Sequence, residues 1–497
     1  MQYLLGIDVG TSQMKVALFD TDGNVVTSAS PAYLAHQPKN GWAEQEAADW
    51  WKAAIEGIRS VVSAVDAADI AAVGLGGQMH GLVLLDAAGE PLRRSIIWCD
   101  QRTARECEEI TELVGAQRLL EITANPALTG FTASKIRWVQ KHEPEIYQKC
   151  AHILLPKDYI RYKLTGEFAT DVSDASGMQL LDVKNRCWSD EVLEKLGIDK
   201  ALMARVYESP EITGEISAAA AELTGLRAGT PVVAGAGDNA AAAIGTGCVK
   251  DGRLFTTIGT SGVVYAHTSK MAVDPCGRVH TFCCAVPGAW HVMGVTQAAG
   301  LSLNWLRQTV CPELSYAQMD ALAEQAGIGA DKLLYLPYLM GERTPHLDAD
   351  ARGVFFGLSG AHTRAHLIRA VLEGVSYSLR DCQRIIEGMN GKIKDMTICG
   401  GGASSALWLR MLTDIFGCGV NTLHATEGVA FGAAILAGVG AGIYPSVEAA
   451  CERLITVKQT LAPDAEAGGK YDAVYARYSA LYPILKESYK ALAALNV

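Results

Sequence analysis

The chain has 497 residues, of which 49% are hydrophobic and 20% are charged, and its formal net charge is −11. This length exceeds what a single hydrophobic core usually serves, so we expect two or more domains. This net negative charge argues against a nucleic-acid-binding surface and against attachment to an anionic membrane. An acidic protein can still bind ATP where local hydrogen-bond donors and Mg²⁺ meet the phosphates.

The N-terminal sequence and the cysteines indicate a cytoplasmic protein. No basic segment, apolar stretch or small-residue cleavage site precedes the first predicted strand, so we expect no secretory signal. The thirteen cysteines include no Cys-x-x-Cys pair. This pattern favours free thiols in a reducing compartment over zinc binding.

The first predicted element is a β-hairpin whose turn carries glycine and hydroxyl groups. Residues 6–12 read GIDVGTS and lie between two β-prone segments. A glycine at position 10 lets backbone amides approach a phosphate, and Thr11 and Ser12 add donors. Asp8 is either a turn aspartate bonded to its own backbone or an acid that positions Mg²⁺ or phosphate.

A strand predicted over residues 70–75 runs into a glycine-rich loop that contains Met79 and His80. A lone histidine is more often structural than catalytic. However, ligand sites of α/β proteins usually form at the carboxyl ends of strands. Further along, Trp98 offers an aromatic face that suits a sugar and equally suits the edge of a core.

Another apolar strand, residues 231–234, leads into a glycine loop and an alanine-rich helix predicted from residue 240. Asp238 in this loop is either the N-cap of that helix or a general base that takes a proton from an attacking hydroxyl. The sequence around Asp238 does not favour one of these two roles over the other. Asn239 beside it offers a donor and an acceptor to a sugar hydroxyl.

The turn of the first hairpin recurs in the second half of the chain. Residues 256–262 read TTIGTSG, which predicts a second hairpin whose turn contains Gly259 and Thr260. Thr257 aligns with Asp8, so only the first copy has a carboxylate that can hold a magnesium ion. Two such loops, one in each half, would grip a polyphosphate from opposite sides.

Near the C-terminus, the predicted strand 395–399 ends in the loop GGGA, which opens a helix at residue 404. The backbone of Gly401, Gly402 and Ala403 is suited to lie against a planar or anionic ligand, with a tight strand–helix turn as the alternative. The loop has neither the Walker A nor the dinucleotide-binding pattern. The apolar run 428–444 is rich in glycine, which favours a buried helix over a membrane span.

Eight segments, taken together and in this order, resemble the FGGY family of carbohydrate kinases, and the resemblance extends over nearly the whole chain. They are residues 6–12, 77–81, 98–102, 155–159, 235–240, 259–262, 341–346 and 400–403. The resemblance implies an α/β protein with the duplicated actin-like (ribonuclease H-like) ATPase fold, with two lobes around a central cleft. Residues 1–247 would form the sugar-binding lobe, with the first phosphate hairpin and the base, and residues 248–497 the nucleotide-binding lobe.

The resemblance also assigns roles. It implies that Asp238 is the general base and that Asp8 positions the metal or the phosphates. It places sugar binding on Met79, His80, Asp238 and Asn239, and the aromatic face of Trp98 adds this residue to the predicted sugar site. It places ATP binding on Gly10, Thr11, Ser12, Thr257, Gly259, Thr260, Gly401, Gly402 and Ala403.

The reaction that this resemblance implies is phosphorylation of the terminal hydroxyl of a ketopentose by Mg-ATP. The segment QMHG at residues 78–81 favours D-xylulose, and residues 237–240 read GDNA where glycerol kinases typically carry Gly-Asp-Gln-Gln. Ribulose, L-xylulose and glycerol are the alternative substrates, and an actin-like ATPase without sugar transfer is the alternative from another class. A homodimer is compatible with the sequence, which does not fix the oligomeric state.

Overall fold

The structure, a computed structural model, describes residues 2–424 and 428–495. Two large mixed β-sheets of seven strands each organise it, one in the first half of the chain and one in the second. Hydrophobic residues of both sheets are buried on both faces, because helices cover each face. The fold is therefore a two-lobed α/β architecture.

The first half contains the first sheet and a group of short strands around it. Its strands are β1 (Tyr3–Val9), β2 (Met14–Asp20), β3 (Val25–Ala29), β4 (Glu44–Gln45), β5 (Ile70–Gly77), β6 (Val83–Leu85), β7 (Ser95–Ile96), β8 (His152–Leu154), β9 (Ala169–Asp171), β10 (Leu181–Asp182), β11 (Cys187–Trp188), β12 (Arg205–Tyr207), β13 (Ile212–Glu215), β14 (Pro231–Val233) and β15 (Ala236–Gly237). Its helices are α1 (Ala47–Val62), α2 (Ala104–Val114), α3 (Ala116–Thr123), α4 (Thr132–His142), α5 (Pro144–Tyr147), α6 (Pro156–Thr165), α7 (Val172–Ser176), α8 (Asp190–Lys195), α9 (Ala218–Thr224) and α10 (Asp238–Gly245).

The second half contains the second sheet and longer helices. Its strands are β16 (Arg253–Ile258), β17 (Gly262–Thr268), β18 (His280–Cys283), β19 (Trp290–Thr296), β20 (Leu334–Leu336), β21 (Val354–Phe356), β22 (Asp395–Cys399), β23 (Gly419–Leu423) and β24 (Val457–Leu461). Its helices are α11 (Gly300–Val310), α12 (Tyr316–Gln325), α13 (Arg364–Asn390), α14 (Ala406–Phe416), α15 (Gly428–Gly440), α16 (Val447–Leu454) and α17 (Ala465–Ala493). Short 3₁₀ turns occupy Ala67–Asp69, Lys200–Leu202, Ala330–Lys332 and Gly401–Ser404.

The two large sheets share one strand arrangement. Their orders are β13-β14-β5-β1-β2-β3 and, read in the corresponding direction, β24-β23-β22-β16-β17-β19-β18. Strand β1 pairs antiparallel with β2 and parallel with β5, as β16 pairs antiparallel with β17 and parallel with β22. Both predicted Gly-Thr-Ser hairpins connect equivalent antiparallel pairs, so the prediction of a duplicated α/β fold is confirmed.

A layer of two helices lies between the sheets. Helix α15 packs on β1 and β5, where a Cβ at Gly6 would lie 1.9 Å from the carbonyl oxygen of Ala430. The same helix packs on α10, where a Cβ at Gly432 would lie 1.9 Å from the carbonyl oxygen of Ala241. Only glycine permits these backbone approaches. Ala243 of α10 in turn packs among the aromatic residues of the second sheet.

The apolar run 428–444 thus forms a buried helix, as the sequence predicts. Its described helical part ends at Gly440, and nine of its thirteen residues are buried between the sheets. Within residues 2–424 and 428–495, no helix combines the length and the apolar character that crossing a membrane requires.

Candidate active site

Asp238 lies where strand β15 meets helix α10, beside the carboxyl end of β5. The helix begins two residues earlier than predicted, and its N-cap is Gly237, so the N-cap alternative for Asp238 is wrong. One carboxylate oxygen of Asp238 accepts hydrogen bonds from the backbone amide and the side-chain amide of Asn239, at 2.6 and 2.9 Å. Burial raises the pKa of Asp238 to about 6, although these hydrogen bonds lower it.

Asp8 occupies the end of β1, paired in register with Lys15 of β2. Burial and the carboxylate of Asp238 raise the pKa of Asp8 to about 7, and Lys15 opposes that rise. The two carboxylates are therefore close enough to interact electrostatically. Perturbed carboxylates in a cleft are typical of functional sites.

A chain of buried polar contacts holds the backbone beside Asp238. The amide of Gly237 donates a 3.1 Å hydrogen bond to the hydroxyl of Ser173. That hydroxyl donates to the carboxylate of Asp171 at 2.5 Å, and the ammonium group of Lys157 lies 2.8 Å from the other oxygen of the same carboxylate. The turn before the catalytic candidate is thus anchored to an ion pair in the core.

His80 has a left-handed backbone (φ 68°), which is uncommon for a residue with a side chain. The ammonium group of Lys135 bonds the carbonyl oxygens of His80 and Gly130, at 2.8 and 2.7 Å, and so holds this loop. The Nδ1 of His80 lies 2.8 Å from the carbonyl oxygen of Gly177, which assigns the proton to Nδ1. Burial lowers the pKa of His80, so the imidazole is neutral and its Nε2 is an acceptor.

Met79 and Trp98 lie on either side of the same region. The side chain of Met79 is buried and packs on Gly237, where a Cβ would lie 2.9 Å from the Met79 Cγ. Trp98 is 38% exposed, and its indole N–H donates a 3.0 Å hydrogen bond to the hydroxyl of Thr11. Of the predicted sugar-binding residues, Trp98 thus contacts the first turn, and Met79 contacts the backbone immediately before Asp238.

The first turn is fixed by its neighbours. The carbonyl oxygen of Gly10 accepts a hydrogen bond from the Tyr33 hydroxyl at 2.5 Å, and that of Ser12 accepts one from the Tyr33 amide at 3.1 Å. The side-chain amide of Gln45 donates to the carbonyl oxygen of Thr11 at 2.6 Å. These hydrogen bonds to three successive carbonyl oxygens hold the turn in place beside the cleft.

Two adjoining cavities lie beside the loops that the sequence predicts to bind the nucleotide. One, of about 700 Å³, is lined by Gly259, Thr260 and Gly402, and the other, of about 960 Å³, by Asp8, Thr257 and Ala403. Gly401 and Ser404 line both, so the cavities are neighbours. From the predicted set, Gly10, Thr11 and Ser12 do not line either cavity.

Several residues that line these cavities were missed by the sequence analysis. They are Gly300, Asn304, Tyr316, Asp320 and Trp408 in the smaller cavity, and Lys15, Lys458 and Gln459 in the larger one. Lys15 could have been found, because a hairpin that turns at residues 10–13 places it opposite Asp8. The others come from distant elements and carry no local motif.

The carboxylates form no closed metal cage. Within the described ranges, no group of three or more His, Cys, Asp or Glu side chains is arranged to hold a metal ion. Mg²⁺ is usually held by one or two carboxylates together with the phosphates of a substrate. Asp8 on the wall of the larger cavity fits that arrangement.

Two duplicated lobes, a pair of perturbed carboxylates and a glycine-lined cavity define the class: an α/β phosphotransferase of the actin-like ATPase type. Two family models match this chain, the N-terminal domain of the FGGY family of carbohydrate kinases over residues 3–245 and its C-terminal domain over residues 254–441. The chain belongs to the FGGY family of carbohydrate kinases, for which ATP is the phosphate donor.

Individual proteins resemble the chain over its full length. It is 40% identical over 494 residues to the xylulose kinase of Bacillus subtilis, covering 99% of each chain. It is also 40% identical over 479 residues to the xylulose kinase of Escherichia coli, covering 96% of this chain and 98% of the other. The crystal structure of a xylulose kinase from Brucella ovis superposes with a TM-score of 0.93 at 37% identity, covering 98% of this chain and 100% of the other.

Proposed function

We propose that this protein transfers the γ-phosphoryl group of ATP to the 5-hydroxyl of D-xylulose, giving D-xylulose 5-phosphate. The observation that carries this proposal is the position of Asp238. Asp238 directly follows Gly237, on which the Met79 side chain packs. Its carboxylate interacts electrostatically with that of Asp8, which lines the larger cavity. The full-length similarity to xylulose kinases supports the choice of sugar.

Asp238 acts as the general base in this proposal. With a pKa of about 6, its carboxylate is ionised at neutral pH and still basic enough to accept the proton of the attacking hydroxyl. As that proton leaves, the oxygen attacks the γ-phosphorus and ADP departs. Phosphoryl transfer depends mainly on positioning and on stabilisation of charge, so one oriented carboxylate suffices.

The neighbours of the base hold the sugar. The neutral His80 offers Nε2 as an acceptor to a sugar hydroxyl, while Nδ1 is engaged with Gly177. Asn239 orients the carboxylate of Asp238 through its two donors. Trp98 covers the first turn and offers its ring to the apolar face of the sugar.

Asp8 would hold Mg²⁺ in this proposal, together with the phosphates of ATP. When bound, the ion neutralises the negative charge of those phosphates. We infer in addition that residues 1–247 act as the sugar lobe and residues 248–497 as the nucleotide lobe. The homodimer and the cytoplasmic location stay predictions.

The proposal is tested with a coupled assay of ADP release across D-xylulose, L-xylulose, D-ribulose, glycerol and gluconate. We expect the highest kcat/KM with D-xylulose and only slow ADP release without sugar. A higher kcat/KM with another member of the panel would reassign the substrate. ADP release that is the same with and without every sugar would reject sugar transfer.

A further inference from the structure

Arg343 reaches the sugar region from the second lobe. Its neighbour Thr344 is tied to β19, because the Thr344 amide donates to the carbonyl oxygen of Val295 at 3.0 Å. The guanidinium nevertheless lies against the first lobe: a Cβ at Gly130 would lie 3.6 Å from one of its terminal nitrogens and 3.2 Å from the carbonyl oxygen of Trp98.

The backbone of this arginine is held rigidly by Glu342. The carboxylate of Glu342 accepts hydrogen bonds from the Thr296 hydroxyl at 2.7 Å and from the amides of Gln297 and Arg343 at 2.9 and 2.8 Å. Because these donors bond both oxygens of its carboxylate, Glu342 holds the backbone at residues 342 and 343 in place. The direction in which Arg343 leaves the second lobe is therefore fixed.

Among residues 2–424 and 428–495, the guanidinium of Arg343 makes no hydrogen bond and no ion pair. Burial lowers its pKa, and the nearby charge of Glu342 opposes that lowering. Its neighbours are imidazoles: burial and the Arg343 cation lower the pKa of His280 to about 3, and the same cation contributes to the lowered pKa of His80. The carboxylate of Glu342 compensates this charge, but its oxygens bond the Thr296 hydroxyl and two backbone amides. Among the described residues, the N–H groups of the guanidinium therefore stay available to a ligand.

We propose that Arg343 is a sugar-binding residue, whose guanidinium donates hydrogen bonds to the carbonyl or hydroxyl oxygens of the bound ketose. The sugar is then held by both lobes, with His80 and Asp238 on one side and Arg343 on the other. Gly130 is part of this site, because a side chain there would contact the guanidinium. This inference rests on the proposed function, since the ligand is the sugar that the enzyme phosphorylates.

The test compares Arg343→Met with wild type by calorimetric titration of D-xylulose without nucleotide. We expect the Kd for the sugar to rise about 10- to 100-fold, the range for a lost charge-assisted hydrogen bond. The KM for ATP should stay within about twofold of wild type. The melting temperature should stay close to that of wild type, because the guanidinium makes no hydrogen bond or ion pair within the described residues and methionine keeps an apolar stem of similar length.

Arg352→Met is the matched control, because Arg352 is exposed and, within the described part of the chain, bonds only the carbonyl oxygens of Ala349 and Ala351 in its own loop. Arg343→Lys keeps the cation but loses the planar fork, and we expect a smaller rise in the Kd. If Arg343→Met does not fold, Arg343→Lys decides the question. An unchanged sugar Kd in a folded variant, or equal losses for sugar and ATP, would overturn the proposal.

The substrate panel separates this inference from the proposed function. If wild type phosphorylates another sugar of the panel, the proposed substrate is wrong and the same titration is made with that sugar. If wild type phosphorylates none of them, both proposals are rejected.

Discussion

The amide of Gly237 donates a 3.1 Å hydrogen bond to the hydroxyl of Ser173, immediately before the carboxylate that we assign as the base. Both residues are buried, and Ser173 in turn donates to Asp171, the partner of Lys157. The position of Asp238 is thus linked to an ion pair in the core of the first lobe. The link makes Ser173 a positioning residue, since it acts on the base through the backbone.

Replacing Ser173 by Ala removes the acceptor of the Gly237 amide. We expect kcat to fall about tenfold and the free energy of unfolding to fall by about 1–3 kcal/mol, the cost of an unpaired buried donor. Ser209→Ala is the control, because the Ser209 hydroxyl donates to the same carboxylate at 3.1 Å and makes no hydrogen bond to Gly237 among the described residues. Equal losses of kcat in both variants, measured by steady-state kinetics, would assign the effect to stability alone.

The pH dependence of kcat/KM should reveal the pKa of the general base. A base must be deprotonated to act, so kcat/KM should rise with pH through the pKa of Asp238, about 6. Asn239→Ala removes the side-chain donor that lowers this pKa, because that donor stabilises the ionised carboxylate. The acidic limb of the kcat/KM profile should therefore move to higher pH. A limb that stays in place, or moves to lower pH, would contradict the role of Asn239.

Gly401 lines both of the cavities that we propose for the nucleotide. Among the described residues, a Cβ at this position would have only the carbonyl oxygen of Ile258 within 4 Å, at 4.0 Å, so a larger side chain would extend into the cavities. We expect Gly401→Val to raise the KM for ATP about tenfold, in line with the 1–3 kcal/mol cost of overpacking. Gly360→Val, at an exposed turn with no atom nearby, should leave it unchanged. A KM for ATP that equals the wild-type value in Gly401→Val would contradict nucleotide binding at this loop.

Much of the fold could be predicted because its signals are local. The hairpins at Asp8 and Thr257 follow from β-prone segments around a glycine turn, and strand 395–399 matches β22. Helix α10 begins at Asp238 instead of the predicted residue 240, because Gly237 is its N-cap.

The walls of the site depend on long-range packing instead. Tyr316 and Trp408 line one cavity because α12 and α14 pack on each other and on α13, and neither residue has a motif around it. Arg343 lies in residues 341–346, one of the eight segments that resemble the FGGY family. Its approach to Gly130, however, depends on how the two lobes pack against each other. Such cross-lobe contacts cannot be derived from periodicity or spacing.

The central claim is that Asp238 is the base for sugar phosphorylation, and Asp238→Asn tests it most directly. This variant keeps the shape of the side chain and removes its basicity, so we expect kcat to fall about 10²- to 10⁴-fold while ATP still binds with near wild-type affinity. Asp251→Asn is the control, because it alters an exposed carboxylate bonded to Ser269. We propose to measure kcat with D-xylulose and the Kd for ATP in both variants. Turnover within tenfold of wild type in folded Asp238→Asn would contradict the assignment.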